Sequence, residues 1–178
     1  MRRLLTALLL LIGTLGGVGC NPAEMTVEQL RVATPEELTK ACQQGDAGAC
    51  GYLGVSYDNG EGVAQDKSKA VELYQKACDG QFARNTSRVK FAGGCFNLGM
   101  MYEGGKGVKQ DDFKAAEFYR KSCDGRNKFG CNNLGVMYEF GKGVRQSRED
   151  ALKFFGKACD LKEEQGCTNY ARVNTPEK

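Results

Sequence analysis

Eight cysteines of this chain fall into four ordered pairs, Cys42/Cys50, Cys78/Cys95, Cys123/Cys131 and Cys159/Cys167, whose first members recur at a nearly constant interval. Cys42 to Cys78 spans 36 residues and Cys123 to Cys159 again 36. Cys78 to Cys123 spans 45, because nine additional residues separate the members of the second pair. A period of that length points to a helical solenoid, in which each unit buries its apolar face only against its neighbours.

Three segments, 53–80, 98–125 and 134–161, align without gaps and show what the unit contains. Leu53, Leu98 and Leu134 each precede a tyrosine by four residues (Tyr57, Tyr102, Tyr138), which places both side chains on one face of a helix. Gly60-Glu61-Gly62-Val63, Gly105-Lys106-Gly107-Val108 and Gly141-Lys142-Gly143-Val144 then stop that helix, since glycine accepts the positive φ of a tight connection. A second helix starts at Asp66, Asp111 or Ser147 as N-cap. It carries Ala70/Tyr74/Ala77, Ala115/Tyr119/Ser122 or Ala151/Phe155/Ala158 along one stripe. The expected fold is therefore all-α, an α/α right-handed superhelical solenoid of disulfide-stapled helix pairs.

In three pairs the cysteines are spaced C-x7-C, the first near the end of one helix and the second in the first turn of the next. A short αα connection brings such positions within the ~4.4–6.8 Å between Cα atoms that a disulfide tolerates. On a chain-entropy basis each nine-residue loop contributes about 2.5 kcal/mol, and a loop twice as long about 3 kcal/mol. Metal binding is the alternative use of cysteine. It is disfavoured because there is no C-x-x-C, no histidine, and the pairs are separated by whole helices.

Residues 1–19 read as an export signal of lipoprotein type: Arg2 and Arg3 precede an apolar run from Leu4 to Leu15, followed by small residues. The ninth cysteine, Cys20, ends this segment. Gly17-Val18-Gly19-Cys20 resembles a bacterial lipobox, with Gly17 where leucine is usual, which makes Cys20 the expected lipidation site and membrane anchor. Asn21 after it resembles an outer-membrane sorting signal. The expectation is an exported lipoprotein of the bacterial cell envelope, at the outer membrane facing the periplasm, or a secreted protein if unlipidated. Residues 20–33 are expected to be the lipidated N-terminus and a tether, with the repeat domain running over 34–172. It opens at Thr34-Pro35-Glu36-Glu37 with a capping box, and 173–178 form a fraying tail.

Net charge is +3, and +1 once Arg2 and Arg3 are removed with the signal. Cations alternate with carboxylates along the helices, so there is no basic stripe of the kind a nucleic-acid-binding domain carries. Without histidine the Ser-His-Asp and Cys-His arrangements are impossible. The chain is read as having no catalytic residue, no cofactor and no metal, and as monomeric.

The pattern A-x3-Y-x-K-A-C-x7-C-x2-L-G-x2-Y-x2-G-x-G-V, present from Ala70 to Val108 with the insertion and from Ala115 to Val144 without it, resembles the Sel-one-like repeat family. These repeats are related to tetratricopeptide repeats, and one cysteine pair per repeat resembles the secreted cysteine-rich subgroup. The resemblance implies an adaptor that holds an unidentified protein or peptide. For that subgroup it also implies penicillin binding or weak β-lactam hydrolysis as an alternative. Ser87-Arg88-Val89-Lys90 matches the S-x-x-K of serine β-lactamases, but it lies in the inserted segment, with no S-D-N or K-T-G nearby. The same segment holds the sequon Asn85-Thr86-Ser87.

Stacked helix pairs make a groove lined by the first helix of each repeat. Taking the residue before each Leu and the one four further on as groove-facing gives Tyr52/Ser56, Asn97/Met101 and Asn133/Met137, with Asn169 in the closing helix, as binding residues. Each amide can both donate to and accept from a peptide backbone, and Met supplies adaptable apolar contact. The asparagines could equally satisfy the turns between neighbouring repeats.

Overall fold

The computed structural model describes residues 25–83 and 92–175. The expected signal segment, Cys20 and the elements at 85–90 lie outside them. Within them the chain is helical throughout: α1 (Val27–Val32), α2 (Pro35–Gln43), α3 (Ala47–Asn59), α4 (Lys67–Ala83), α5 (Ala92–Gly104), α6 (Asp112–Asp124), α7 (Lys128–Phe140), α8 (Arg148–Asp160) and α9 (Glu164–Asn174). Helices α3/α4, α5/α6 and α7/α8 form the three repeats, and each helix packs mainly on its chain neighbours, giving a solenoid.

The expected punctuation is in place. Thr34 closes a capping box with Glu37, and Pro35 occupies the first turn of α2. The side chains of Asp66, Asp111 and Ser147 accept from the backbone N–H of Lys69, Lys114 and Asp150 at 2.9, 3.0 and 3.1 Å, starting the second helix of each repeat. Gly60 and Gly141 end α3 and α7 with φ of 78° and 68°. At the opposite turn the left-handed position falls to Gly45, Arg126 and Lys162.

All four cysteine pairs are disulfides, with Cα atoms 4.5–4.7 Å apart. Cys42–Cys50 joins α2 to α3, Cys78–Cys95 joins α4 to α5, Cys123–Cys131 joins α6 to α7 and Cys159–Cys167 joins α8 to α9, so each staple crosses from one unit into the next. The second members, Cys50, Cys95, Cys131 and Cys167, are each the fourth residue of their helix, which closes the first turn. Cys50, Cys95 and Cys131 are buried between units, whereas Cys167 is half-buried on the closing helix. The first members end their helices as expected except Cys78, which lies five residues before the end of α4. The insertion in that pair partly extends the helix: α4 continues to Ala83, four residues longer than α6 or α8.

Inside each repeat the two helices approach through a ring seated on a glycine. Tyr74, Tyr119 and Phe155 are fully buried and lie over Gly54, Gly99 and Gly135, where a Cβ would come within 2.6–2.7 Å of ring carbons. Leu98 and Leu134 fill the space beside them. Each Leu or Phe so buried contributes about 1.5–3 kcal/mol. On the other side Tyr102 and Tyr138 stack on Phe118 and Phe154 with ring centroids 5.5 Å apart.

Two boundaries differ from expectation. Part of the segment read as a tether is structured: Thr26 makes a capping box with Gln29, Leu30 is buried against Leu38 and Leu53, and the Met25 N–H donates to Asp46 at 2.7 Å. One buried leucine in six residues is too little periodicity to be seen in sequence, yet it covers the open end of the stack. At the other end α9 continues through Asn174 rather than fraying at Val173, because Arg148 donates to the carbonyls of Val173 and Thr175 at 2.6–3.0 Å.

Two glycines of α5 separate packing from propensity. Gly99→Ala is expected to drive a methyl into the Tyr119 ring and cost about 1–3 kcal/mol. Gly93, where no heavy atom among the described residues lies within 4 Å of a built Cβ, should gain about 0.5–1 kcal/mol on substitution by alanine. Urea unfolding of the two variants measures both; equal effects of the same sign would contradict the ring-on-glycine packing.

Candidate functional site

The first helix of each repeat is a patterned cylinder: Leu53/Gly54, Leu98/Gly99 and Leu134/Gly135 face the second helix, and the opposite face is accessible. On that accessible face lie Tyr52 and Val55 of α3, Phe96, Asn97 and Met100 of α5, and Phe129, Asn133 and Val136 of α7. Contacts run along it from repeat to repeat. A cavity of about 200 Å³ between α3, α4 and α5 is lined by Gly48, Gly51, Tyr52, Val55, Gly93 and Asn97, among others. Phe96 meets Phe129 with ring centroids 5.8 Å apart. Asn169 donates to Asn132 at 2.9 Å, joining α9 to α7. These contacts link the first helices of neighbouring repeats.

The expected binding residues divide. Tyr52 and Asn97 come together in the cavity, and Asn133 lies at the matching position of the next repeat. Met101 and Met137 do not belong to the groove: they are 2% and 1% exposed and sit in the core. The groove positions are Met100, 40% exposed, and Val136, three residues beyond each asparagine rather than four. Ser56 is likewise displaced by Val55, and its hydroxyl donates to the Tyr52 carbonyl of its own helix at 3.3 Å.

The asparagines also work between repeats. Asn97 interacts with the phenol of Tyr74, and Asn133 with that of Tyr119, each reaching back to the second helix of the preceding repeat. Tyr119 in turn donates to Glu103 at 2.6 Å. In the third repeat Phe155 has no hydroxyl, and Asn169 pairs with Asn132 and Arg172 instead. Arg172 also grips Glu139 through two bonds of 2.6 and 2.8 Å, and this pairing holds its pKa up. Both phenols are pushed well above the ordinary tyrosine value. Burial is the larger cause, followed by the negative charge of Asp58 for Tyr74 and by the hydrogen bond to Glu103 for Tyr119.

The groove is built for contact. Its exposed face is apolar and amide-bearing. Among the described residues no group of three or more His, Cys, Asp or Glu is placed to hold a metal, and no helix is long and apolar enough to cross a membrane.

Asn133→Ala removes a donor from a buried phenol and is expected to lower stability by about 1–3 kcal/mol, read by chemical denaturation. A Tyr119→Phe background should absorb most of that loss. In alkaline solution Tyr74 and Tyr119 should stay neutral while the protein is folded. Because their folded pKa values exceed the unfolded value near 10, their contribution to stability is whole below about pH 10 and is lost as pH rises beyond it. Phenolate absorbance during titration should therefore show two of the seven tyrosines ionising only as the protein unfolds.

The family model described as Sel1 repeat matches residues 47–82, 92–127 and 129–163, most of the helical stack. Cysteine rich protein B of Helicobacter pylori is 33% identical over 77% of this chain and 97% of its own, with a TM-score of 0.58. A Sel1 repeat protein from Oxalobacter formigenes superposes with a TM-score of 0.70 at 21% identity over 81% of this chain. It shares the fold, and the match spans 58% of its length. No curated protein matches the sequence. With three matched repeats, their glycine-seated rings and a disulfide joining each unit to the next, the chain belongs to the Sel1 repeat family.

Proposed function

We propose that this Sel1 repeat scaffold binds an extended protein segment in the groove formed by its first helices, and that it acts by holding that partner. The supporting observation is the composition of the groove. In a chain that is 26% charged, the middle turns of the accessible face of α3, α5 and α7 carry Tyr52, Val55, Phe96, Asn97, Met100, Phe129, Asn133 and Val136, and the carboxylates that follow on that face, Asp58, Glu103 and Glu139, are engaged by Lys67, Tyr119 and Arg172. Apolar side chains there give adaptable contact area, and the asparagines recur once per repeat with their amides oriented by Tyr74 and Tyr119. An amide that spends a donor on tyrosine still offers its carbonyl oxygen and a second N–H to a peptide backbone. The cavity beside Tyr52 and Gly93 is large enough to take one apolar side chain.

Four disulfides suit an oxidising compartment. Together with the lipobox-like Cys20, they support a place in the cell envelope. The alternative of β-lactam binding rests on the resemblance to the cysteine-rich subgroup and gains no support from the first-helix face; residues 87–90 lie outside the described residues.

A peptide-display selection against the purified chain, followed by fluorescence polarisation with the selected peptides, tests the proposal. Met100→Asp and Val136→Asp place a charge on the apolar face without touching the core. Each should weaken binding at least about tenfold while leaving the unfolding midpoint within experimental error. Lys76→Asp, on the second helix of the first repeat, should change neither. Unaltered binding by both groove variants would exclude the groove as the site.

A further inference from the structure

The turns between the two helices of each repeat line up along one edge of the stack, and that edge is not uniform. In the first repeat it carries Asn59, Glu61, Ala64 and Ser68. At the corresponding positions the second repeat has Gly104, Lys106, Lys109 and Phe113, and the third has Phe140, Lys142, Arg145 and Glu149. Phe113 is 71% and Phe140 61% exposed, the largest exposures of any aromatic side chain among the described residues. The four cations are exposed and have no side-chain hydrogen bond or ion pair among those residues.

Two of these groups, from successive repeats, share a cleft. The second glycine of each loop packs on the preceding repeat: Gly143 abuts the Asp112 carbonyl and the Phe113 backbone, leaving no room for a Cβ. Phe113 and Arg145 consequently line one cleft with Val144. The acidic groups nearby, Asp111, Asp112, Glu149 and Asp150, belong to the caps and first turns of α6 and α8, where the helix N-termini favour negative charge. The loops themselves present the cations outward, with a phenylalanine beside each pair.

We propose that this edge binds an anionic lipid surface, with Phe113 and Phe140 entering the headgroup boundary and Lys106, Lys109, Lys142 and Arg145 lying over the headgroups. Exposed aromatic rings among unpaired cations are the composition of an interfacial membrane contact: the ring gains by leaving water, and each cation gains from the negative surface potential. An acidic protein would use the cations but would give two isolated, protruding phenylalanines no apolar seat of their own. Contact through the edge leaves the groove open. It also requires no acyl chain, so it holds whether or not Cys20 is lipidated.

The absence of tryptophan from the chain supplies a site-specific test. Phe113→Trp, Phe140→Trp and, as a remote control, Tyr170→Trp each introduce one indole into the full-length protein. Mixed with vesicles of phosphatidylglycerol and phosphatidylcholine, the indoles at 113 and 140 should shift to shorter emission wavelength and be quenched by brominated acyl chains. The indole at 170 should do neither. Pure phosphatidylcholine should give no shift, and raising salt to about 1 M, where screening acts within about 3 Å, should reverse it. Changing Lys106, Lys109, Lys142 and Arg145 together to serine in the Phe113→Trp protein should weaken the vesicle partition by at least about tenfold. An apolar N-terminal segment could itself carry the chain to vesicles, so flotation alone decides nothing. Flotation with an unshifted indole at 113 and 140 overturns the proposal, as does a shift that survives loss of the four cations.

Discussion

The contact on which the solenoid depends is the aromatic ring of each second helix lying flat on a glycine of the first. Gly54, Gly99 and Gly135 let the helices approach until Tyr74, Tyr119 and Phe155 are wholly enclosed. That closeness creates a polar obligation, because a tyrosine buried this deeply must have its hydroxyl satisfied. For Tyr119 the acceptor is Glu103 of its own repeat at 2.6 Å, and Asn97 and Asn133 of the following repeat also interact with the Tyr74 and Tyr119 phenols. Packing within one unit therefore bears on contacts between units. Where the ring is Phe155 the obligation lapses, and Asn169 turns to Asn132 and Arg172 on the closing helix.

Each unit touches only its neighbours, so the stack is stabilised locally and is most vulnerable at its ends. The disulfides address this by crossing the unit boundary at every step, from Cys42–Cys50 at the start to Cys159–Cys167 at the close. The ends are covered by different means. Helix α1 lays Leu30 over the first unit and ties its start to Asp46, itself the N-cap of α3. Helix α9 keeps the cysteine and asparagine of a first helix but has Tyr170 and Ala171 where the repeats have leucine and glycine. A methyl at that glycine position is what the seated ring excludes, so α9 is shaped to face solvent rather than to receive another second helix.

Sequence carried the features that depend on neighbours along the chain. Caps at Asp66, Asp111 and Ser147, the glycine stops and the buried stripes are all fixed within a few residues, and the cysteine pairs bridge short connections. The groove was read with an error of one position. In a helix both i+3 and i+4 share a face with i, and only the direction in which the second helix docks decides between Met100 and Met101. That direction is set by Tyr119 on Gly99, a contact between helices. Sequence allows a role for Asn97 between repeats, but its tyrosine partner is not visible there, since that tyrosine lies in the preceding repeat. Helix α1 escaped because six residues with one buried leucine carry almost no period.

Near-neutral overall charge conceals a division of labour across the surface. The middle turns of the first helices present apolar and amide side chains, the carboxylates at their C-terminal ends, Asp58, Glu103 and Glu139, are engaged by Lys67, Tyr119 and Arg172, and other charges are paired or dispersed on the second helices, as with Lys121 and Glu117. Unpaired cations concentrate on the loops of the second and third repeats, which the fold holds in place because Gly107 and Gly143 wedge each loop against the repeat before it. A loop so braced can vary at its intervening positions without disturbing the stack. Glu61 in the first repeat against Lys106 and Lys142 in the later ones is that freedom in use. The repeat thus separates two surfaces in space: the first-helix face, held to apolar and amide side chains in its middle turns, and the braced loops, whose intervening positions are free to acquire charge.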